Sequence, residues 1–442
     1  MTATPTDTRT AEHSELDPAL YRKLAWRIMP FLALCFVLNW LDRVNISFAH
    51  LQFKTDLNIS DATFGIIVGV FSIGYLLFEI PSNLLLEKIG AKKTMTRIMV
   101  LWGLVTIASA FAQTPTQFYV LRILLGAAEA GFFPGVILYL TYWFPASHRA
   151  RITSRFIMAI AVCGIVGGPL STWILSHFSG LAGFSGWQWL FVLTGIPPVL
   201  AGIFAWYWLD DKPANARWLT DAEKRQIDQA LAAERQQRAP GGHLNFLGAL
   251  ADRKVWCIIL AYCLTIMCTG NVVNIWAPSI IRDSGVESLG SLGLYSALPY
   301  LVAVVVMFFA CRHSDLRKER RWHFALGGLT AALALTLLPS QLDNPLSTLG
   351  LLVVLTSGYM VATAIFWTIP TYYLSDTAKA AGLALVNCCG QISSLLTPIM
   401  IGAIKTNTGS IAPALYIIAA LVAAGTLALL LGVPRRALRD AS

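Results

Sequence analysis

The sequence predicts an all-α membrane protein with twelve transmembrane helices in two pseudo-symmetric six-helix halves. Three observations carry this: the scarcity of charge, the length of the apolar runs, and a repeat in the loops between them. Of 442 residues, 56% are apolar and 13% charged, against about a quarter charged in a soluble domain. A hydrocarbon core about 30 Å thick takes about 20 helical residues to cross. Runs of that order occupy 28–50, 62–83, 94–112, 117–138, 155–177, 188–209, 255–281, 292–311, 322–339, 348–374, 378–404 and 412–433. A large soluble helical protein is excluded, because its core helices could not keep so many such stretches nearly free of charge.

The longest polar interruption, 210–254, divides the spans six and six. The expected organisation is a polar tail at 1–27, a first half at 28–209, a linker at 210–254, a second half at 255–433 and a tail at 434–442. Within the linker, Thr220 and Glu223 have the spacing of a capping box, and Ile227 and Leu231 recur four apart. A short amphipathic helix is expected to about Gln237, ending before Pro240, Gly241 and Gly242 and tethering the halves along the inner surface. The halves repeat. Glu87 is followed by Lys92 and Lys93, and Asp315 by Arg320 and Arg321, at a common offset of 228 residues. That offset also maps Arg151 onto Lys379 and brings Pro169 within one residue of Pro398. Parallel repeats about the membrane normal, with a site between them near the midplane, follow from such a pattern.

The formal charge of +9 reports topology rather than a nucleic-acid partner. Arg43 and Arg122 lie inside spans and Lys54, Arg282 and Lys405 in loops on one side, while the other lysines and arginines fall on the opposite side and its helix ends. By the positive-inside bias both termini are expected in the cytoplasm. No apolar segment with a small-residue cleavage site precedes the first span, so no signal peptide is expected. The eight cysteines all sit in apolar spans without the spacing of a zinc site or disulfide framework, and read as packing residues. An enzyme would need a nucleophile with its base or a metal cluster at the membrane face. His50 and His177 stand at span ends, apart and without clustered acids. No cofactor or metal is expected.

Ionisable side chains inside spans cost at least about 2.5–3.5 kcal/mol each, so they mark functional positions facing a cavity. Five stand out: Asp42, Arg43, Glu79, Arg122 and Glu129. Arg122 and Glu129 are seven residues apart, two helical turns, so they share one face at about 10 Å separation along the axis. Arginine suits anion binding because its planar fork matches a carboxylate and keeps its charge; Arg43 and Arg122 are assigned that role, the alternative being that each only neutralises an acid, for instance Arg122 with Asp42. Glu129 lies among Gly126, Ala127, Ala128, Ala130 and Gly131, small residues that admit close helix approach. Enclosure and the nearness of an arginine pull its protonation in opposite senses, which is what proton coupling requires. Glu79, shortly before Pro81, is expected near the inner interface, outside the cluster, as a structural or gating contact.

A resemblance joins these features. The loop 83–93 is similar to the signature loop of the major facilitator superfamily, with Asn83 in place of its usual first glycine and Glu87 in place of its aspartate. Within that superfamily the segments 39–49 (NWLDRVNISFA) and 126–135 (GAAEAGFFPG) resemble the first- and fourth-span motifs of the anion:cation symporter family. The likeness runs from about Lys23 to Pro434. It implies a proton-coupled transporter for a small organic anion such as tartrate, an aromatic acid or a sugar acid. It implies proton exchange at Asp42 and Glu129, and substrate contacts at Trp40, Tyr75, Trp367 and Asn387. The loop charges Glu87, Lys92, Lys93, Asp315, Arg320 and Arg321 are assigned with Glu79 to the conformational change. Beside Trp367, Ala364 and Phe366 replace the more polar residues of sugar-acid carriers, favouring a substrate with fewer hydroxyls. The segment 164–169 (GIVGGP) resembles a motif of exchangers and exporters, though close packing and a bend explain it more plainly. Exchange or export is the alternative to uptake. The expected setting is a monomer in the inner membrane.

Overall fold

The computed structural model describes residues 16–237, 252–373 and 376–433; the side chains of 146–161, 234–237, 371–373, 376–381 and 384 lie outside the description. Every long element among the described residues is helical, and ten helices are long and apolar enough to cross a membrane. The third and fifth expected spans fall on two further helices, Ala91–Ser109 and Ala146–His177. The first of these is 19 residues long and carries Lys92, Lys93 and Arg97 in its first turns, which sets it apart from the ten.

The first helix, Pro18–Asp56, starts ten residues before the apolar run that predicted it. Asp17 caps it, its carboxylate accepting from Ala19 N at 3.0 Å, and Pro18 takes the first position, where no amide hydrogen is needed. The extension is held by packing. Leu20 and Leu24, one turn apart, are buried with Trp143, Phe144, Leu219 and Ile227 in one cluster. The linker therefore adds to the first half. Its helix runs Asp221–Gln237, with Thr220 N donating to Glu223 Oε2 at 2.8 Å and Glu223 N to Thr220 Oγ1 at 3.3 Å. Lys23 Nζ donates to Glu223 Oε1 at 2.7 Å. Pro240, Gly241 and Gly242 lie outside the described residues.

Three spans depart from a simple rod. The fourth, expected unbroken over 117–138, is two helices, Pro115–Glu129 and Phe132–Trp143. Gly131 joins them in the left-handed region at φ 84°, a conformation open to glycine and costly for other residues. The break falls directly after Glu129. The seventh, Arg253–Asp283, contains π-helical turns at Ala261–Met267 and Val272–Trp276, a feature that gathers at functional sites. The tenth, expected over 348–374, passes from Pro345–Phe366 to Thr368–Tyr373 through Trp367.

Spans from before and after the linker meet along a seam. At the end carrying Asp61, closure is tight: Ala62 N donates to Thr406 Oγ1 at 2.8 Å. A Cβ on Gly402 would stand 2.2 Å from the Asp61 carbonyl oxygen, so the two backbones touch. Asp61 receives Lys54 Nζ at 2.7 Å and lies 3.9 Å from Lys405 Nζ, which also binds Asp283 at 2.7 Å. His50, buried and stacked on Phe64, lies 3.7 Å from Asp61 Oδ1. Further along, Gly164 faces the Tyr300 ring and Gly168 the backbone of Gly293, so the glycine-proline segment serves here as a packing surface.

Candidate functional site

The charged residues of the first and fourth spans come together around Glu129, whose side chain is wholly buried. Asn39 and Arg43 are one turn apart on the first helix and project from the same face. Asn39 Nδ2 donates to Glu129 Oε2 at 2.8 Å and Arg43 Nε donates to the same oxygen at 2.9 Å. Glu129 Oε1 has no hydrogen-bond partner among the described residues. One oxygen thus takes two donors while the other is open to a proton or ligand donor.

Arg43 is the most accessible member, with 29% of its side chain exposed. Its guanidinium carbon lies 5.0 Å from the Tyr75 ring centroid and 5.2 Å from that of Phe71, cation–π distances that hold the fork flat across the second span. Tyr75 reaches this place because Gly74 and Gly126 bring the second and fourth spans into backbone contact. A Cβ on Gly126 would stand 2.1 Å from the Phe71 carbonyl oxygen, and one on Gly74 2.0 Å from that of Ile123.

Asp42 points elsewhere. It is buried, accepts from Thr106 Oγ1 at 2.8 Å and Asn45 Nδ2 at 3.1 Å, and Asn45 in turn donates to Thr194 at 2.9 Å. It faces the third and sixth spans, a rotation of about 100° from Arg43. Arg122, 5% exposed, lies within electrostatic reach of both Asp42 and Glu129, and its Nη2 lacks a hydrogen-bond partner among the described residues. The two acids therefore sit in separate hydrogen-bond networks, with one arginine in electrostatic reach of both. An unmet buried donor costs about 1–3 kcal/mol, so Arg122 Nη2 is poised for an acceptor.

Glu79 requires a correction. Expected apart from the cluster, it is 8% exposed, lies within electrostatic reach of Arg43, and accepts from Asn387 Nδ2 of the eleventh span at 2.7 Å. The reason is its register: Glu79 is one turn beyond Tyr75 and shares its face. Asn387, expected free to meet substrate, is engaged by this bond.

The remaining expected contacts are uncharged. Trp40 is half-buried, packed on Phe36 at 6.5 Å between centroids, and its Nε1 has no hydrogen-bond partner among the described residues. Trp367, 37% exposed, lies against Tyr262 and Phe366 with centroids at 5.2 and 5.3 Å. Composition gave no notice of Tyr262, Asn274 or Tyr300. Tyr300 donates to Asn274 Oδ1 at 2.7 Å, beside a cavity of about 30 Å³ between the halves, room for about one water. Asn39 and Thr106 were also missed. Asn39 had a usable signal in its spacing of four from Arg43, whereas Thr106 had none.

At the other end lie the two repeated loops. In the second, Asp315 pairs with Arg320 at 2.5 Å and Arg320 Nη1 donates to Ser314 Oγ at 3.1 Å, while Arg321 donates to the Leu430 carbonyl. In the first, Gly90 turns the chain at φ 91° and Lys92 N donates to Asp211 Oδ1 at 2.9 Å. Lys92 Nζ lies 5.3 Å from the Trp206 ring. Glu87 and Lys93 are exposed. Arg151 and Lys379 have side chains outside the description.

The described residues form a bundle of long apolar helices with a buried ion pair between the first and fourth spans, and sequence and fold comparisons give its class. Residues 32–398 match the Major Facilitator Superfamily, and the chain belongs to that family: it is a multi-pass membrane transporter and not an enzyme. A protein of Agrobacterium vitis named for tartrate transport is 40% identical over 93% of this chain and 94% of its own length. A protein of Acinetobacter baumannii named as a quinolone resistance transporter is 36% identical over 91% of this chain and 92% of its own. Among solved structures, a D-xylose-proton symporter superposes with a TM-score of 0.74 at 16% identity, covering 93% of this chain and 98% of that one. At that identity the likeness is one of fold.

Proposed function

We propose that the chain is a proton-coupled symporter that takes up a small organic carboxylate by alternating access. Twelve spans in two halves would lie in the cytoplasmic membrane, with both termini inside and a single chain as the working unit. The observation that carries this reading is the shared oxygen: Arg43 and Asn39 both donate to Glu129 Oε2. A proton on Glu129 cancels the charge that holds Arg43 and frees its fork for a carboxylate, which arginine binds through two parallel bonds. A carboxylate leaving Arg43 restores the pair and expels the proton. Arg122 offers its unmet Nη2 to the same anion, and Asp42, within electrostatic reach of both Arg122 and Glu129, supplies a second exchangeable proton. Trp40, Tyr75, Trp367 and Asn387 shape the remainder of the site. A relative named for tartrate transport supports a carboxylate; the apolar pair Ala364 and Phe366 favours one with few hydroxyls.

The decisive experiment uses purified protein in vesicles free of internal anion. An imposed inward proton gradient should drive accumulation of L-tartrate, 4-hydroxybenzoate or D-gluconate well above equilibrium. Uptake that appears only when the vesicles hold an exchangeable anion would replace symport by exchange. Export is favoured by one observation, the relative named for quinolone resistance, and would show as proton-driven extrusion of a quinolone.

A further inference from the structure

Glu79 lies between two of the side chains assigned above to the substrate, Arg43 and Asn387. Its carboxylate lies at the seam, within electrostatic reach of Arg43 on one side and bonded at 2.7 Å to the Asn387 amide of the other half. Tyr75, one turn away, has its ring centroid 5.0 Å from the Arg43 guanidinium carbon. A carboxylate here costs desolvation and repels any arriving anion, so a purely structural link between halves would be served as well by an amide. The charge needs its own explanation.

We propose that Glu79 is a tethered stand-in for the substrate: in the empty carrier it occupies the Asn387 donor and counter-charges Arg43, and an anion with two acceptor groups displaces it. This rests on the symport reading above. It narrows the substrate to acids that carry a second acceptor, carboxylate or hydroxyl, able to span from Arg43 to Asn387. It also makes binding mechanical, because the acid that displaces Glu79 breaks a hydrogen bond between the halves and replaces it by its own. Until that exchange occurs the empty carrier is held shut by its own carboxylate.

The test compares wild type with Glu79→Gln. Glutamine keeps an acceptor oxygen for Asn387, so the fold and the link between halves are retained while the competing charge is lost. Proton-driven uptake of L-tartrate should show KM lowered by about fivefold or more, with kcat reduced because the substrate is released less readily. Benzoate, which lacks a second acceptor, should gain less than twofold. Glu79→Asp keeps the charge, and its KM should stay at or above the wild-type value. Wild-type uptake with KM unchanged or raised in Glu79→Gln would overturn the inference alone. Absence of gradient-driven uptake in the wild type for every acid tried would overturn the symport reading and the inference together. If Glu79→Gln yields no folded protein, the charge itself is structural and the inference fails.

Discussion

The two halves present different chemistry to the seam. The first contributes Arg43, Glu79, Arg122 and Glu129, buried or partly buried and drawn together within three spans, with Asp42 turned away toward the third and sixth. The second presents Tyr262, Asn274, Tyr300, Trp367 and Asn387, uncharged side chains among which Tyr262 packs on Trp367 and Tyr300 bonds Asn274. Charge in a membrane is tolerated where partners are close and fixed, and concentrating it on one wall would keep the Arg43–Glu129 pair intact through the proposed cycle. In the proposed reading the residues that would carry coupling lie in the first half, and Glu79 is bonded from there to Asn387 of the second.

The sharpest way to break this division is at Arg43. Arg43→Ala leaves Glu129 buried without its cation, a change that costs roughly 3–5 kcal/mol for a buried pair. It is expected to abolish uptake and lower thermal stability together. Arg43→Lys keeps the charge and loses the fork; folded protein with KM raised at least about tenfold, about 1.4 kcal/mol, is the expected result. Retention of wild-type KM in the lysine variant would remove Arg43 from the site. On the opposite wall, Trp367→Ala should alter the ranking of competing acids by about three- to tenfold while leaving the dependence on the proton gradient unchanged. A shift in that dependence would show that coupling reaches the second half.

Gly126→Val tests the contact that sets the charged wall. The added side chain would meet the Phe71 carbonyl, and overpacking of this kind costs about 1–3 kcal/mol, to be read as a lower thermal midpoint in detergent. The smallest effect is expected at the surface. Lys23 beside Glu223 holds that carboxyl below the usual carboxylate range. A depressed folded-state value stabilises above the unfolded value and is lost as pH falls through the folded one. Glu223→Ala should cost well under about 1 kcal/mol at neutral pH, and the difference from wild type should close as the solution becomes strongly acid.

Much of the charged wall was legible because intramembrane ions are too costly to be incidental, and because Arg122 and Glu129 lie on one helix whose periodicity fixes their common face. The capping box at Thr220 was legible for a similar reason: its chemistry is local. Partner choice was not. Arg43 pairs with Glu129 while Asp42 turns to Thr106, and that depends on the rotation and register of three packed helices, which no one helix encodes. The break after Glu129 was hidden because the glycines around it also serve close packing; only the left-handed backbone of Gly131 separates the two roles. Glu79 was misplaced by weighing its depth near Pro81 above its register with Tyr75.

The central claim is that Glu129 carries the transported proton, and gradient-driven uptake by Glu129→Gln in vesicles tests it most directly. Glutamine is neutral like the protonated acid and leaves the Arg43 fork free for a carboxylate, so substrate should bind and exchange across the membrane while an inward proton gradient no longer produces accumulation. Accumulation by Glu129→Gln that follows the gradient as in the wild type would contradict the account.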